Sequence, residues 1–376
     1  MSIKKLPDGR YEWRHRVGGR HLKRTFPIRK QAVDHDAKVK ADLARGTHID
    51  TTNRTTVTEY YRQWIDARVM RSSTLSHRLL MLRNHIEPTP LGSRPLVKVK
   101  PSEIQAWVRS RADVLGPYTL RIHVGVLRSV FATAVLDGLI ARNPVQPTER
   151  LSLPKMDTQK ITPLTIPQVQ AWADHAAAEV RAMIITQAGL GLRISELRAL
   201  RVQDVDFLRR EVHIDEQVDG RGRRVPLKTA NSRRVVPLPS VTGEALAAHI
   251  AQFPPGPTGL IFRAQAKALR SDGRRNAIQP TLACWNPHHL SDEYRQAARA
   301  AGLPDSVVSH WLRHHYASVL LDAGESVHAV AERLGDRPEM VLNVYGHLMP
   351  DREDTTRKAV DAAWKQARQD SAEGAR

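Results

Sequence analysis

The chain has 376 residues, of which 41% are hydrophobic, enough for two or three domains that each bury a core. Its formal net charge of +19 and pI near 10.5 favour a polyanionic partner, above all a nucleic acid. The single cysteine, Cys284, excludes an internal disulfide bond and a cysteine-based zinc site.

The net positive charge is concentrated in the N-terminal part of the chain. Residues 1–50 contain 13 Lys and Arg against 6 Asp and Glu, residues 51–150 contain 15 against 7, and the remainder contains 30 against 26. We therefore expect a binding surface in the first two-fifths, although a solvated basic face remains an alternative. No apolar stretch follows Lys4 and Lys5, and nowhere do eighteen apolar residues run together. We expect a cytoplasmic protein without a membrane segment.

Residues 1–50 predict a small sheet packed on one helix. Strand-like segments cover residues 11–17 and 21–26, and a helical pattern runs from Ile28 to about Ala44. Alternation along the strands predicts a cationic sheet face that suits a DNA groove, with an ordinary polar face as the equal alternative. The basic residues assigned to this face are Arg14, Arg16, Arg20, Lys23 and Arg24.

Residues 56–150 predict a compact helical domain. Helical patterns cover residues 58–69, 72–85, 103–111 and 117–139, and Thr56, Ser102 and Pro117 supply helix-start signals. Prolines at positions 144, 147, 154 and 163 then predict an extended linker, placed at residues 151–163. These boundaries divide the front of the chain into domains at residues 1–50 and 56–150.

Residues 164–376 predict a mixed domain. Helices are expected from Ile166 and over residues 176–190, followed by a sheet with strands at 211–218, 223–228 and 233–238. Helices resume after the proline-rich loop at 254–257 and continue to the end, with helical character again over residues 351–368. We expect an α+β fold that is mainly helical.

Four segments of this last domain contain Arg, Lys, His and Tyr side chains that could bind a phosphate or take part in catalysis. Residues 191–200 read GLRISELRAL, residues 226–234 read PLKTANSRR, residues 310–318 read HWLRHHYAS, and residues 342–347 read LNVYGH. On a helix, Glu196 is close enough to orient Arg193, and His310 and Arg313 project from one face. Two such cations on one face are favourable only if an anion, such as a phosphate, lies between them.

Together these segments resemble the active-site motifs of tyrosine recombinases, the family of the phage-type integrases. The resemblance spans roughly residues 163–350 and implies that Tyr345 attacks phosphorus to form a 3′-phosphotyrosyl link. It also implies that Arg193 and Arg313 clamp the phosphate, while Lys228 and His310 handle protons. The link conserves the bond energy, so we expect neither a metal nor another cofactor.

One residue departs from the family pattern. After Leu334 and Gly335 the family most often has a His or Trp that donates to the phosphate, whereas this chain has Asp336. We interpret Asp336 as a group that orients Arg193 or His310; protonation, or an outward orientation with His347 as its substitute, are the alternatives.

The resemblance extends to the order of the domains. It implies that residues 1–50 bind arm-type DNA, that residues 56–150 clamp the core site, and that a tail after Tyr345 docks on a neighbouring protomer. The expected partners are double-stranded attachment sites and a homotetrameric synapse, while the sequence leaves open whether a DNA-bending or directionality factor is needed. The rival interpretations are a type IB topoisomerase and a catalytically weakened DNA-binding regulator on the same fold.

Overall fold

The chain divides into two compact units, residues 1–158 and 159–376. The computed structural model describes residues 2–17, 20–44, 49–50, 52–145, 151–156, 162–227, 232–264, 284–348, 357–358 and 360–365. The boundary between the units falls within the linker predicted at residues 151–163, while the further division of the first unit into two domains stays a prediction. The expected α+β, mainly helical fold is confirmed.

The first unit opens with an antiparallel sheet in the order β1-β2-β3, followed by one helix. Trp13 lies on the face covered by the helix and is 2% exposed, and its indole donates to Asp36 at 2.9 Å. The predicted strands and helix are confirmed, and the sequence patterns missed the first strand. Their bounds are β1 (Ser2–Lys5), β2 (Tyr11–Val17), β3 (Arg20–Phe26) and α1 (Arg29–Ala44).

The predicted cationic face of this sheet is only partly correct. Arg14 pairs with Lys23 across β2 and β3, and both contact the carboxylate of Glu12 at 2.5 Å. The assignment of Arg24 to this face is wrong, because it pairs with Trp13 and directly paired residues share a face. The side chain of Arg20 lies outside the described residues.

In the rest of the first unit, the described residues include four α-helices that pack around a core of their own. Thr56 and Glu59 form a reciprocal capping box at the start of the first of these helices, and prolines occupy the first turns of the last two. A π-helical turn at Leu82–Ile86 extends the second helix, close to the predicted end at residue 85. The helices are α2 (Val57–Asp66), α3 (Ser72–Met81), α4 (Pro101–Ala112) and α5 (Pro117–Leu136).

Within the described part of the chain, α5 is the one helix whose length and composition would let it cross a membrane, with a hydropathy of 1.4. Leu120, Leu127, Val130 and Phe131 on this helix are fully buried in the helical core. These contacts are typical of the central helix of a globular domain, and the apolar composition of α5 follows from that position.

The second unit is built around α7, which packs against α6, α9 and α11. Trp172 anchors this core, is fully buried, and donates its indole N–H to the carbonyl of Tyr294 at 2.9 Å. The helices are α6 (Ile166–Asp174), α7 (Ala178–Leu190), α8 (Ile194–Leu197), α9 (Ser240–Gln252), α10 (Pro287–Ala300), α11 (His310–Asp322), α12 (Val327–Leu334) and α13 (Pro338–Tyr345).

The strands of the second unit differ from the prediction in their pairing. The predicted strand at 211–218 is broken at Asp215, and its two halves belong to different sheets. The first half joins a three-stranded sheet in the order β4-β5-β8, and the second half forms a separate hairpin with β7. The strands are β4 (Val205–Asp206), β5 (Glu211–Ile214), β6 (Glu216–Val218), β7 (Arg224–Pro226) and β8 (Arg234–Pro237).

Candidate active site

Arg193 lies in the turn between α7 and α8. Gly191 ends α7 with a φ of 61°, and a Cβ at this position would lie 2.4 Å from a ring carbon of Tyr316, so the turn requires glycine. Glu196 accepts hydrogen bonds from the backbone nitrogen of Arg193 at 3.0 Å and from its guanidinium at 2.9 Å. The predicted contact between Arg193 and Glu196 is therefore present, and it fixes the direction of the guanidinium.

Glu196 is itself held by a second arginine. The carboxylate is 2% exposed, and Arg234 on β8 donates to it at 2.9 Å. Arg234 also donates to the carbonyls of Ser232 and Arg333, so its own position is set by the backbone. Burial raises the pKa of Glu196, but Arg234 and then Arg193 keep it below its usual value. Glu196 is thus an ionised brace between two arginines.

Arg313 is buried between the ends of two helices. Its side chain is 2% exposed, and it donates to the carbonyl of Gly191 at 2.7 Å and to that of Leu334 at 2.8 Å. These carbonyls lie at the C-terminal ends of α7 and α12, where the helix dipole favours a cation. Burial and then Arg193 lower the pKa of Arg313, and Asp336 opposes this shift. A guanidinium remains charged under these conditions.

Asp336 joins the two predicted phosphate-binding arginines. Its Oδ1 lies 2.5 Å from Nη2 of Arg193, and its Oδ2 accepts from Nη2 of Arg313. The side chain is 32% exposed and points toward these two arginines rather than away from the cluster. With Glu196 and Arg234 included, three guanidiniums face two carboxylates, which leaves one formal positive charge for an incoming anion.

Tyr345 is the last residue of α13, and its side chain is almost fully buried. The phenol oxygen lies 2.7 Å from Nδ1 of His314 on α11, and the two rings meet at a centroid distance of 5.5 Å. Burial raises the pKa of Tyr345 to about 12, although Arg313 acts to lower it. The phenol therefore keeps its proton at neutral pH, and its use as a nucleophile requires a group that removes the proton.

His310 and His314 lie one turn apart on α11. Their rings meet edge to face at a centroid distance of 4.6 Å, and the His310 side chain is exposed. Partial burial and then Arg313 lower the pKa of His310, whereas Asp336 acts to raise it. Burial, followed by His310, lowers the pKa of His314 to about 4. Both imidazoles are therefore neutral at pH 7.

The site thus gathers most of the residues singled out in the sequence. Arg193 and Arg313 both contact Asp336. His310 packs against the ring of His314, which in turn contacts the hydroxyl of Tyr345. Lys228 lies outside the described residues.

Two residues of the site were not predicted. His314 contacts the Tyr345 hydroxyl, and its i, i+4 spacing from His310 is the sequence signal that could have revealed it. Arg234 contacts Glu196, and the signal in the sequence is its position on the inward face of β8, which it shares with Val236. Both signals become specific only once the elements that face them are known.

The described residues contain no group of three or more His, Cys, Asp or Glu side chains that could hold a metal ion. The adjacent histidines at 288–289 and at 314–315 are therefore not part of such a cluster, and they contact other groups. His315 contacts the carbonyl of Leu164 at 2.6 Å, and the ring of His289 stacks on Trp285.

The chain is similar in sequence to known proteins over most of its length. The model of the phage integrase family matches residues 160–352. A prophage phiRv2 integrase of Mycobacterium tuberculosis is 26% identical over 300 residues, which cover 78% of this chain and 75% of the relative. Tyrosine recombinase XerC of Rhodospirillum centenum is 28% identical over 256 residues, covering 65% and 67%.

Solved structures share the fold. The Tn1549 transposon integrase in complex with a circular intermediate DNA matches with a TM-score of 0.65 and 23% identity, covering 82% of this chain and 99% of that one. A lambda integrase tetramer bound to a Holliday junction matches with a TM-score of 0.59 and 16% identity, covering 89% and 95%. The family model matches more than half of the residues, so this chain belongs to the phage integrase family of tyrosine recombinases.

Proposed function

We propose that this protein is a site-specific DNA recombinase that integrates or excises a mobile element by cutting and rejoining DNA through a 3′-phosphotyrosyl intermediate. The observation that carries the proposal is one site that combines the buried phenol of Tyr345 with two guanidiniums, Arg193 and Arg313, bridged by a single carboxylate. Such a cluster offers a nucleophile beside positive charge that can bind the non-bridging oxygens of a phosphodiester.

Each residue then has a chemical role. Arg193 and Arg313 clamp the phosphate, and Asp336 keeps their guanidiniums in register through contacts to both. His310 is the exposed member of the histidine pair and can hydrogen-bond the DNA phosphate, while Lys228 protonates the departing 5′ oxygen. The phosphotyrosyl bond conserves the energy of the broken phosphodiester, so the reaction needs neither ATP nor a metal ion.

We assign the domains by the same reasoning. Residues 1–50 bind arm-type DNA. The paired cations Arg14 and Lys23 on the uncovered face of the sheet support this assignment. Residues 56–150 clamp the core site, residues 151–163 form the linker, and residues 164–376 are the catalytic domain with its docking tail. Residues 360–365 of the tail are helical, and Trp364 there is 65% exposed, which suits docking on a second protomer.

The partners follow from these assignments. The substrates are double-stranded attachment sites, and the active assembly is a homotetramer. Similarity to the Tn1549 integrase in complex with a circular intermediate DNA and to the lambda integrase tetramer bound to a Holliday junction supports both points. The reaction takes place on DNA in the cytoplasm. The net charge of +19 supports a DNA partner.

The test is covalent capture of DNA. The purified protein is incubated with a library of nicked duplexes, denatured, and the DNA that remains attached is sequenced. We expect a protein–DNA adduct that Tyr345→Phe abolishes. Tyr294→Phe is the matched control: this tyrosine is fully buried in the same unit, and its hydroxyl has no hydrogen-bond partner among the described residues.

The outcomes separate the rival functions. Recombinant junctions from two captured sites support a recombinase, whereas relaxation of supercoiled DNA without junctions indicates a topoisomerase. Sequence-specific binding without any adduct indicates a DNA-binding regulator and contradicts the proposal. An adduct that survives Tyr345→Phe rules out Tyr345 as the nucleophile.

A further inference from the structure

The hydroxyl of Tyr345 is directed at one nitrogen of an imidazole. Tyr345 ends α13 and His314 lies on α11, so the contact joins two helices, and at 2.7 Å between oxygen and Nδ1 it is a hydrogen bond of ordinary length. In the tautomer of the neutral ring that is protonated on Nε2, Nδ1 accepts this hydrogen bond from the hydroxyl. The acceptor is therefore in position before DNA arrives.

The surroundings of His314 keep it free to accept a proton. The rings of His310 and Trp311 both meet the His314 ring edge to face, with centroid distances of 4.6 Å and 6.4 Å. Arg313 is the neighbouring cation on the same helix. Burial, His310 and Arg313 lower the pKa of His314 to about 4, so the ring is uncharged at neutral pH. An imidazolium formed here is unstable and readily returns its proton.

We infer that His314 is the group that takes the phenolic proton of Tyr345 as its oxygen attacks the scissile phosphate, an inference that rests on the proposed recombinase function. The Tyr345 oxygen forms a bond to phosphorus while its proton moves to Nδ1 of His314. The bond from phosphorus to the 5′ oxygen breaks, and that oxygen receives a proton from a separate donor. In the rejoining step the same proton returns from His314 to Tyr345 as the phosphotyrosyl bond breaks.

The two pKa values determine the timing of this transfer. The pKa of Tyr345 lies far above that of His314, so in the DNA-free site the proton stays on the phenol and does not transfer to the imidazole. The proton moves only as the new bond to phosphorus forms and the phenol oxygen loses its basicity. A bound phosphate also favours the imidazolium, because it adds a negative charge near the ring.

The decisive variant is His314→Asn. The side-chain oxygen of asparagine can take the place of Nδ1 and accept the same hydrogen bond, but it cannot hold a proton at neutral pH. We expect single-turnover cleavage of a captured site to fall about 100-fold to 10,000-fold, the range for general acid–base groups, with DNA affinity unchanged. His213→Asn, at an exposed position on β5, is the control and should cleave like the wild type.

The pH profile distinguishes proton transfer from positioning. The wild-type rate should be nearly constant above neutral pH, whereas the His314→Asn rate should rise in proportion to hydroxide, because the phenolate must then form from water. A ring-fluorinated tyrosine at position 345, which ionises at lower pH, should restore much of the lost rate in this variant. A His314→Asn enzyme with a wild-type rate, or with a lower rate but an unchanged pH profile, would overturn the inference.

A measurement without turnover keeps the inference separate from the proposed function. Nitrogen-15 NMR of the DNA-free protein should show His314 with an unprotonated Nδ1, and a proton on Nδ1 would contradict the inference whatever the enzyme does. If the wild type forms no adduct with any DNA, the proposed function fails, and with it the reaction that His314 is inferred to serve.

Discussion

Two histidine pairs, one in each unit of the molecule, have similar surroundings and different partners. His85 and His123 in the helical part of the first unit have ring centroids 5.1 Å apart, and His310 and His314 in the second unit have centroids 4.6 Å apart. In each pair one member has a pKa lowered to about 4, by burial first and the neighbouring histidine second. The pKa shifts alone do not tell the pairs apart.

The contacts of the two pairs do differ. The Nδ1 atoms of His85 and His123 are buried and have no hydrogen-bond partner among the described residues, whereas Nδ1 of His314 meets the Tyr345 hydroxyl. A lowered histidine pKa is therefore a consequence of burial that many cores produce, and a functional role requires a reacting atom at the nitrogen. The pair in the second unit also lies beside a buried guanidinium, Arg313.

The largest effect should follow from removing that guanidinium. Arg313→Ala leaves the carbonyls of Gly191 and Leu334 and the carboxylate of Asp336 without their donor, so we expect the free energy of unfolding to fall by about 3–5 kcal/mol and cleavage to be lost. Denaturant titration and adduct formation measure the two effects. Arg313→Lys should recover part of the stability but little cleavage, because lysine lacks the forked donors. Full stability in Arg313→Ala would contradict the role of Arg313 as the link between α7 and α12.

A smaller effect should follow from neutralising the carboxylate of Asp336, a group for which the pair His85 and His123 has no counterpart in contact among the described residues. Asp336→Asn weakens the contacts that align Arg193 with Arg313, and a misplacement of such groups lowers cleavage by about 10-fold to 100-fold. DNA affinity should rise slightly, since one negative charge is removed from the site. The pKa of His310 should fall further, because Asp336 acts to raise it, and NMR titration measures this.

Asp336→Ala and Asp336→His are the matched variants. Wild-type cleavage in Asp336→Ala would rule out the orienting role. Recovery of cleavage in Asp336→His relative to Asp336→Ala would show that a donor to the phosphate can replace the carboxylate.

The smallest effect concerns the histidine pair of the first unit and the dependence of stability on pH. The folded pKa of His123 is about 4 against an ordinary 6.5, so between these values the unfolded chain binds a proton that the folded chain does not. The free energy of unfolding should therefore decrease as the pH falls from about 6.5 to 4. His123→Gln should reduce this loss by about 1 kcal/mol, since solvent reaches part of the ring and screens the effect.

Hydrogen exchange of the α5 amides measures the stability of the first unit separately from that of the second. His314→Asn serves as the comparison and should leave the exchange of α5 unchanged. An equal acid loss in His123→Gln and in the wild type would contradict the assignment to His123.

Local signals in the sequence determined most of the elements. The starts of α2, α4 and α5 follow from a capping threonine and from prolines in the first turn, which act within a few residues. The alternation of β2 and β3 and the pattern of α1 are also local, and they predicted the N-terminal sheet and helix. His310 and Arg313 were likewise placed on one face by helical spacing alone.

Long-range packing determined the chemistry of the site. The contact of Asp336 with Arg193 joins residues 143 apart, that of Arg234 with Glu196 joins residues 38 apart, and that of His314 with Tyr345 joins residues 31 apart. Spacing along the chain does not fix where helix ends meet. The contact of Asp336 with Arg193 was therefore only one of several interpretations, and its second contact to Arg313 and the partner of Tyr345 were not predicted. The break at Asp215 has a similar cause, because strand pairing depends on which neighbours the folded sheet supplies. The sequence thus determined which side chains the site has, and only the tertiary structure decided which of them touch.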